Sequence, residues 1–497
     1  MTRRDFLKRS STAMATLPVS ACVARMPVRP VYRSLIPDDT SATLVNDVHS
    51  QLNPTRVAAI VRPSSVDELA AALADVRAMG RAVAVAGGRH AMGGQQFAEE
   101  AVLVDTRLMN RVLALDEDRG IVTVEGGIQW PELIAHLQSS RWGIIQKQTG
   151  ADRLSLAGAL SANAHGRGLT LKPIIDQVEQ FDLVDAGGTV RACSRATHPE
   201  LFRLAIGGYG LFGIIARVQL RLRPRVKVRR VVVLGETSGI IDRFEERIRD
   251  GYLYGDYQFA TDSRRDSFLA RGIFSGYQPV TADTPLTEHP TRFNPEDWAR
   301  LTLYSHRYKR RAFQVYSTRY LQTSGQIYWS DSQLSAAYVD GYHADLDRAL
   351  RSTVPATEMI TEIYVPRPRL AAFMDDAKRE LRARNVNVIY GTVRMIERDD
   401  ECYLAWARER YACVIFNLHV EHTSKGIERA ADAFRSLIDL GIEHGGTYYL
   451  TYHRWASREQ VARAYPQMRA FLTLKRQYDP DETFQSSWYR DMCRAGP

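Results

Sequence analysis

Two hydrophobic periodicities alternate along the chain. Ser65-Val-Asp-Glu68 opens a run in which apolar residues recur every three to four positions from Leu69 to Met79, and Gly80 ends it. A serine followed three residues later by glutamate is a capping box, so the run predicts a helix with a defined start. Arg81 then leads into Ala-Val-Ala-Val-Ala and Gly87, a short continuous apolar run that predicts a buried strand. A second strand is expected at residues 102–106 (VLVDT), and a hairpin-like pair around Asp116-Glu-Asp-Arg-Gly120. PELIAHL predicts a helix, with Pro131 in a favoured first-turn position. The β-α-β alternation runs through Leu183 and ends in Ala205-IGGYGLFGIIARVQLRLRP-Arg225, where Pro224 closes the last strand.

Beyond Arg225 the pattern becomes more polar. Glu362-Ile-Tyr-Val-Pro-Arg367 followed by AAFMDDAKREL predicts a strand and then a helix, and Asn387–Ile396 and Val414–Val420 predict two more strands. Alternation groups Tyr390, Thr392 and Arg394 on one side of the first of these. Tyr304 to Tyr342 contains nine aromatic residues and the basic stretch Arg307-Tyr-Lys-Arg310-Arg311. This region is expected to be strand-rich, with aromatic cross-strand pairs and a solvated basic turn. The alternative is an aromatic platform or lid over a ligand.

With 497 residues, 45% of them hydrophobic, the chain has room for two to four domains or one two-lobed protein. That excludes a disordered or collagen-like chain. The formal charge of +9 is scattered, which gives nucleic acid little to bind. Five cysteines (22, 193, 402, 413 and 493) are too few for a disulfide scaffold, and no CxxC pair suggests zinc. Cys402 and Cys413 are a candidate pair in an oxidising compartment.

The first residues read as an address. Arg3-Arg4 precedes Phe6-Leu7-Lys8 and an uncharged stretch from Ser10 to Ala24, about 22 Å as a helix and too short for a bilayer core. The adjacent arginines resemble a twin-arginine export signal over residues 1–21, which implies a periplasmic protein. Val19-Ser20-Ala21-Cys22 resembles a lipobox that would make Cys22 a membrane tether; the alternative is ordinary cleavage near Ala21. Removal of residues 1–21 lowers the charge to +6, because four basic residues and Asp5 leave.

Three glycine-rich stretches carry the chemical signal. Gly87-Gly88-Arg89-His90-Ala91-Met92-Gly93-Gly94-Gln95 follows a predicted strand, where glycines let backbone N–H groups approach a phosphate. It is neither GxGxxG before a helix nor a GxxxxGK[ST] loop. Ser155-LAGALSANAHGRG-Leu169 is dominated by small residues that could pack on a flat ligand, and Ile206-GGYGLFGI-Ile215 places four glycines before an alternating strand. Each alone also fits a turn, a close-packed helix or a bulged strand.

In this order and spacing the three stretches resemble the FAD-binding domain of the vanillyl-alcohol oxidase / p-cresol methylhydroxylase (PCMH-type) superfamily, over about residues 50–225 and less fully at the C-terminus. The resemblance implies an α+β fold. An FAD-binding domain of two α/β subdomains would span residues 45–225, after a linker at 22–44. An antiparallel-sheet substrate cap would span 226–445, and a C-terminal segment at 446–497 would return to the FAD domain. The first stretch looks like the pyrophosphate loop, implying FAD contacts from Gly87, Gly88, Arg89, His90, Ala91, Gly94 and Gln95. Many members carry FAD on a histidine at the position of His90. Those read Gly-His, whereas Arg89 stands here, so covalent and non-covalent FAD both remain open. The second stretch resembles the decaprenylphosphoryl-ribose and aldonolactone oxidase branches and implies Gly150, Gly158, Ser161, Asn163, His165 and Gly166 near the flavin. The third implies Gly208, Gly213, Ile214 and Ile215 around the adenosine half.

The resemblance also suggests catalytic candidates. In aldonolactone and alditol oxidases a Glu and an Arg two residues apart sit over the flavin. Here Arg394 matches and Thr392 takes the Glu position, so Glu362 on another strand is the candidate carboxylate; an ordinary sheet ion pair is the alternative for both. Gly445-Gly446-TYYLTYHRWAS resembles a strand that carries a lysine near flavin N1 in the decaprenylphosphoryl-ribose branch. Tyr452 takes that place, and Tyr452, His453 or Arg454 is a candidate anion partner, with His453 also a candidate base. Asp152 lies near the position of the cytokinin dehydrogenase base, with shorter spacing. The implied activity is oxidation of a CH–OH donor (polyol, sugar, lactone or alcohol) by hydride transfer to FAD, with O2 or a quinone-type acceptor. The alternatives are a CH–NH donor enzyme resembling cytokinin dehydrogenase, an NAD(P)H-dependent C=C reductase, and a non-catalytic flavin-binding periplasmic protein.

Overall fold

The computed structural model describes residues 43–334 and 341–494. The residues expected to form an export signal, Cys22 and most of the expected linker lie outside these residues. The fold is α+β, built on three main sheets.

A three-stranded parallel sheet places Val102–Asp105 between Ala59–Val61 and Val83–Ala86. The alternating run divides its side chains between two faces, as period two requires. Val83, Val102 and Val104 pack under the helix Val66–Ala78, while Ala84, Ala86 and Leu103 pack against Phe97, Val45 and Val57. Ser65 caps that helix by accepting from the Glu68 amide at 3.1 Å. The Glu68 carboxylate reaches Ser64 instead of closing the box on Ser65.

A five-stranded antiparallel sheet follows, in the order Val190–Ser194, Val178–Val184, Ile214–Arg221, Ile121–Glu125, Val112–Asp116. The expected hairpin is its last pair, and the helix Trp130–Leu137 carries Pro131 in its first turn.

The second half builds an eight-stranded antiparallel sheet. Its order is Ile327–Trp329, Lys227–Glu236, Arg271–Pro279, Tyr254–Phe259, Val388–Ile396, Tyr411–Glu421, Ala356–Pro366, Thr447–Tyr448. The helix Leu370–Ala383 lays Leu370, Phe373, Met374, Ala377 and Leu381 into the core, and Ser424–Glu443 packs beside it. All three predicted strands of this half are present, the third extended to Tyr411–Glu421.

The aromatic region is not strand-rich. Pro295–Arg307 and Lys309–Gln322 are helices, and among the described residues of the Tyr304–Tyr342 region only Ile327–Trp329 form a strand. The aromatics recur at helical spacing, so they meet along a helix rather than across strands: the Tyr316 and Tyr320 rings are 4.0 Å apart and those of Tyr304 and Tyr308 6.0 Å. Asn294 and Asp297 form a capping box with Pro295 at the first helical position. The basic turn is only partly solvated, because Lys309 is half-buried and its amine donates to the Ser305 carbonyl. Burial brings that amine down to about 7.

All four cysteines among the described residues are free thiols. The Cys402 thiol points at the Ile206 carbonyl, 3.1 Å away, and Cys413 lies 3.7 Å from Glu362 Oε2. The candidate Cys402–Cys413 pair is therefore not formed.

The chain's last segment crosses back to its first sheet. Phe484 pairs with Val83 in parallel, and the Val83 amide donates to the Thr483 carbonyl at 2.7 Å. Asp479 makes this turn: its carboxylate accepts from the Thr483 and Phe484 amides and from Lys475 Nζ at 2.9 Å. Lys475 and Asp479 are both buried. Removing one partner of a buried pair leaves an uncompensated charge. Lys475→Met is therefore expected to cost about 3 kcal/mol in urea unfolding. A loss below about 1 kcal/mol would mean the two amides satisfy the carboxylate on their own.

Candidate active site

A cavity of about 960 Å3 lies between the glycine-rich loops and the face of the eight-stranded sheet. Its size is that of a pocket for a large cofactor together with a small ligand.

One wall is loop backbone. A Cβ on Gly87 would lie 1.9 Å from Ser155 Oγ, and one on Gly88 would lie 2.2 Å from the Arg153 carbonyl oxygen. Only glycine permits this contact between the first and second loops. Gly87, Gly88, Arg89, His90, Ala91 and Gln95 line the cavity, with Gly150, Gly158, Ser161 and His165 from the second loop and Gly213, Ile214 and Ile215 from the third. Arg89 sits in the left-handed region and its guanidinium stands 3.5 Å from the buried Asp105 carboxylate. Gln95 donates to the Leu450 carbonyl at 2.6 Å, yet its Oε1 is buried with no partner.

His90 does not stand alone. Its Nδ1 is 2.8 Å from Nε2 of His49, which also lines the cavity. Burial and the neighbouring His49 hold His90 well below its ordinary value, and burial with His343 nearby holds His49 at about 4. Both rings are therefore neutral imidazoles near pH 7.

The opposite wall is chemistry on strands. Glu362 projects from Ala356–Pro366 and is 3% exposed. Its Oε2 accepts from His165 Nε2 and the Tyr364 hydroxyl, both at 2.7 Å, and its Oε1 accepts from the Tyr452 hydroxyl at 2.8 Å. His165 Nδ1 faces the Gly166 carbonyl at 3.1 Å, so both ring nitrogens are placed to donate. Burial alone would raise Glu362; His165, Arg394 and the Tyr364 hydroxyl outweigh it and hold the carboxyl at about 2. Burial and the Glu362 charge push the Tyr452 phenol well above its usual range, so it stays neutral. Arg394 lines the same cavity, is 5% exposed, and its Nε has no partner. Thr392, at the position where the resemblance puts a Glu, has a buried hydroxyl without a partner.

Several sequence expectations fall elsewhere. His453 does not line the cavity. It follows Tyr452 and faces the other way, its ring 4.5 Å from Phe434 and 5.7 Å from Trp455, and burial drives it down to about 3. A base needs reach to its substrate, so His453 is a packing residue. Asp152 pairs with the buried Lys147 at 2.6 Å and is absent from the cavity lining. Asn163 is consumed by structure, donating to Asp399 at 2.7 Å and accepting from the Ile175 amide. Gly166 packs on the Lys147 carbonyl, Gly208 on the Leu204 carbonyl, and Gly94 against Ser487 and Arg454. Arg454 itself pairs with Asp491 at 2.7 Å.

Sequence reasoning did not single out His49, Tyr364 or the charged end of the cavity. There Arg230 lies over the Tyr320 ring at 4.2 Å, Arg167 over Tyr277 at 4.8 Å, and Arg167 stands 3.6 Å from Asp256. Arg167 lies within the second glycine-rich stretch, and Tyr364 two residues from Glu362 shares its strand face, so both had a signal. His49 and Arg230 had none.

A profile described as an FAD binding domain matches residues 57–194. The chain is 25% identical over 433 residues, 87% of its length, to L-gulono-1,4-lactone dehydrogenase of Mycobacterium tuberculosis, covering 95% of that protein. It is 26% identical over 258 residues to cytokinin dehydrogenase 4 of Oryza sativa, covering 48% of this chain and 44% of that one. Among solved structures, 6-hydroxy-D-nicotine oxidase from Arthrobacter nicotinovorans superposes with a TM-score of 0.62 at 16% identity, over 90% of this chain and 95% of that one, a likeness of fold. Residues 57–194 are an FAD binding domain, and the fold and the relatives are those of PCMH-type FAD-linked oxidoreductases. The site fits that cofactor: the loops leave backbone free to meet a pyrophosphate, Ala157, Gly158, Ser161 and Ala162 make a flat small-residue wall, and Gln95 Oε1 waits for a donor.

Glu362 makes a pH prediction. Its carboxyl is lowered in the fold, so its contribution to stability is fully present above the unfolded value of 4.5 and is lost as pH falls toward 2. The stability gap between wild type and Glu362→Gln should be widest above pH 4.5 and narrow below it, followed by urea midpoints across pH. A gap that widens on acidification would contradict an ionised Glu362.

Proposed function

We propose that this FAD-dependent oxidoreductase oxidises a CH–OH donor of the sugar, sugar-lactone, polyol or alcohol class. The observation that carries the reading is the Glu362 carboxylate, ringed by His165, Tyr364 and Tyr452 and sharing its cavity with Arg394. The lactone named in the Mycobacterium tuberculosis relative puts sugar lactones first among the donors.

FAD, when bound, supplies the two-electron acceptor for a hydride. The chain would hold it with the Gly87–Gln95 loop, the Ala157–Ala162 wall and the Gly213–Ile215 strand entry. A carboxylate offers about four acceptor sites. Three are filled by His165, Tyr364 and Tyr452, leaving one on Oε1 for a substrate hydroxyl. A carboxylate held low is a weak base at rest, so Glu362 would orient the substrate hydroxyl by accepting its hydrogen bond and would receive the proton as negative charge develops on that oxygen. Arg394 compensates negative charge developing on the substrate oxygen. O2 or a quinone-type molecule would serve as the final electron acceptor. Arg3-Arg4 and the lipobox-like Val19–Cys22 support export by the twin-arginine route to the periplasm, with Cys22 as the tether.

An anaerobic screen of sugar lactones, sugars, polyols and alcohols, following loss of the oxidised flavin band, tests the donor class. Bleaching by at least one is expected, with Glu362→Gln slowing it by about 10²–10⁴-fold and Arg394→Met by about 10²–10³-fold. Bleaching only by amines such as adenine derivatives would replace the CH–OH reading with a CH–NH one.

His90 as a neutral imidazole beside His49 also supports covalent attachment of FAD. Flavin fluorescence should then stay with the protein band after SDS denaturation and be lost in His90→Ala. Fluorescence that washes out of the wild-type band would show the cofactor is held by contacts alone.

A further inference from the structure

Four residues of the Ala356–Pro366 strand separate Glu362 from a second buried carboxylate on the same cavity face, Glu358, about 13 Å along the sheet. Glu358 faces three imidazoles from three other elements. His306 Nε2, in the last turn of Pro295–Arg307, lies 2.7 Å from its Oε1. His419 Nδ1, from the residue paired with Glu358 across the sheet, lies 3.7 Å from the same oxygen. His343 Nδ1, at the start of His343–Leu350, lies 3.0 Å from Oε2. The Tyr342 hydroxyl also reaches Oε2.

His306 Nε2 is within hydrogen-bond geometry of Oε1 and Tyr342 donates to Oε2, but hydrogen bonding does not account for the other two rings. His306 Nδ1 faces the Thr302 carbonyl at 2.9 Å. If that nitrogen carries the ring's single proton, Nε2 turns a lone pair toward the carboxylate. This backbone-anchored tautomer is the one metal-ligating histidines use. His343 is 5% exposed, yet neither of its ring nitrogens makes a hydrogen bond, although Nδ1 is within 3.0 Å of the carboxylate. His419 Nδ1 is likewise buried without one. Imidazole nitrogens of His343 and His419 that face the carboxylate without hydrogen-bonding it are what lone pairs converging on a shared point look like. Protonating all three rings instead would place three cations around one carboxylate in a buried pocket.

We propose that His306, His419 and the Glu358 carboxylate bind a divalent transition-metal cation of the zinc class, with His343 as the fourth donor. The donor atoms of His306, Glu358 and His419 all lie within 4.8 Å of one another. Ligand bonds of about 2.0–2.2 Å in a tetrahedron put donors roughly 3.3 Å apart, so shifts of about 1–1.5 Å close these three, while His343, 3.0 Å from the other carboxylate oxygen, would swing in as the ion binds. Two imidazoles and a carboxylate suit zinc, and the fourth donor makes the site structural rather than open. The ion would clip the helices Pro295–Arg307 and His343–Leu350 to the sheet floor, at a distance from Glu362.

The test is metal binding by the holoenzyme, independent of turnover. After chelation and dialysis, calorimetric titration with Zn2+ should show roughly one equivalent bound. Co2+ should give the visible absorption of a four-coordinate N/O site, beyond the flavin bands. Glu358→Gln and the double variant His306→Asn/His419→Asn should weaken Zn2+ binding by about 100-fold or more, with flavin content and circular dichroism showing that each variant is folded. Absence of stoichiometric Zn2+ binding and of the Co2+ spectrum in the wild type overturns the proposal, whether or not the variants fold. So does binding that survives in the folded variants and is abolished by His49→Asn, which would place the ion on the His49–His90 pair.

Discussion

The pairing of Ala356–Pro366 with Tyr411–Glu421 is the constraint on which the site depends. Their register is unbroken from Ala356 opposite Glu421 to Pro366 opposite Tyr411. Side chains on a strand alternate faces, so this register puts Glu358, Ile360 and Glu362 together on the cavity side with Ile415 and Asn417. A slip by one residue would turn both carboxylates into the helical layer behind the sheet. The bond network of Glu362 then reaches outward from that strand, to His165 in the second loop and Tyr452 in the C-terminal segment. One carboxylate thus ties the sheet to the loops that face it.

Burying Glu362 is unfavourable until its partners are in place, and each partner comes from a different part of the chain. The tension is resolved by number: three donors and a nearby guanidinium hold the charge where a single one would leave it poorly compensated. The same logic applies across the cavity, where Arg167 and Arg230 are held among aromatic faces and Asp256. The cavity is therefore polar at defined points and apolar between them, which is the pattern that orients a small polar ligand.

The local part of this architecture was legible in the sequence. Capping residues, the Ala-Val-Ala-Val-Ala run and the three glycine stretches each encode their structure within a few neighbours, and loop residues such as Gly87, His90 and Gln95 do line the cavity. What depended on long-range pairing was not legible. Tyr452 and His453 are adjacent and chemically suitable, but only their placement against Glu362 and Phe434 decides which faces the cavity. Asn163 looked like a ligand contact because its polar side chain sits in a small-residue stretch; its partner Asp399 lies far along the chain. The helices at Pro295–Arg307 and Lys309–Gln322 were a different failure. Their helical spacing and capping box are present in the sequence, but the density of aromatic residues, which strands also favour, masks the period.

Val83–Ala86, the strand that delivers the first glycine loop, has Phe484 on one edge. During synthesis the strand emerges early and its neighbour almost last. The N-terminal sheet therefore cannot complete its edge, nor Gly94 its packing on Ser487, until nearly the whole chain has been made. Contacts so distant in sequence delay closure of the fold. The flavin pocket is in this sense a product of the finished polypeptide, so cofactor capture becomes a late, post-translational event, and a chain truncated near its C-terminus would lose the cofactor pocket with its tail.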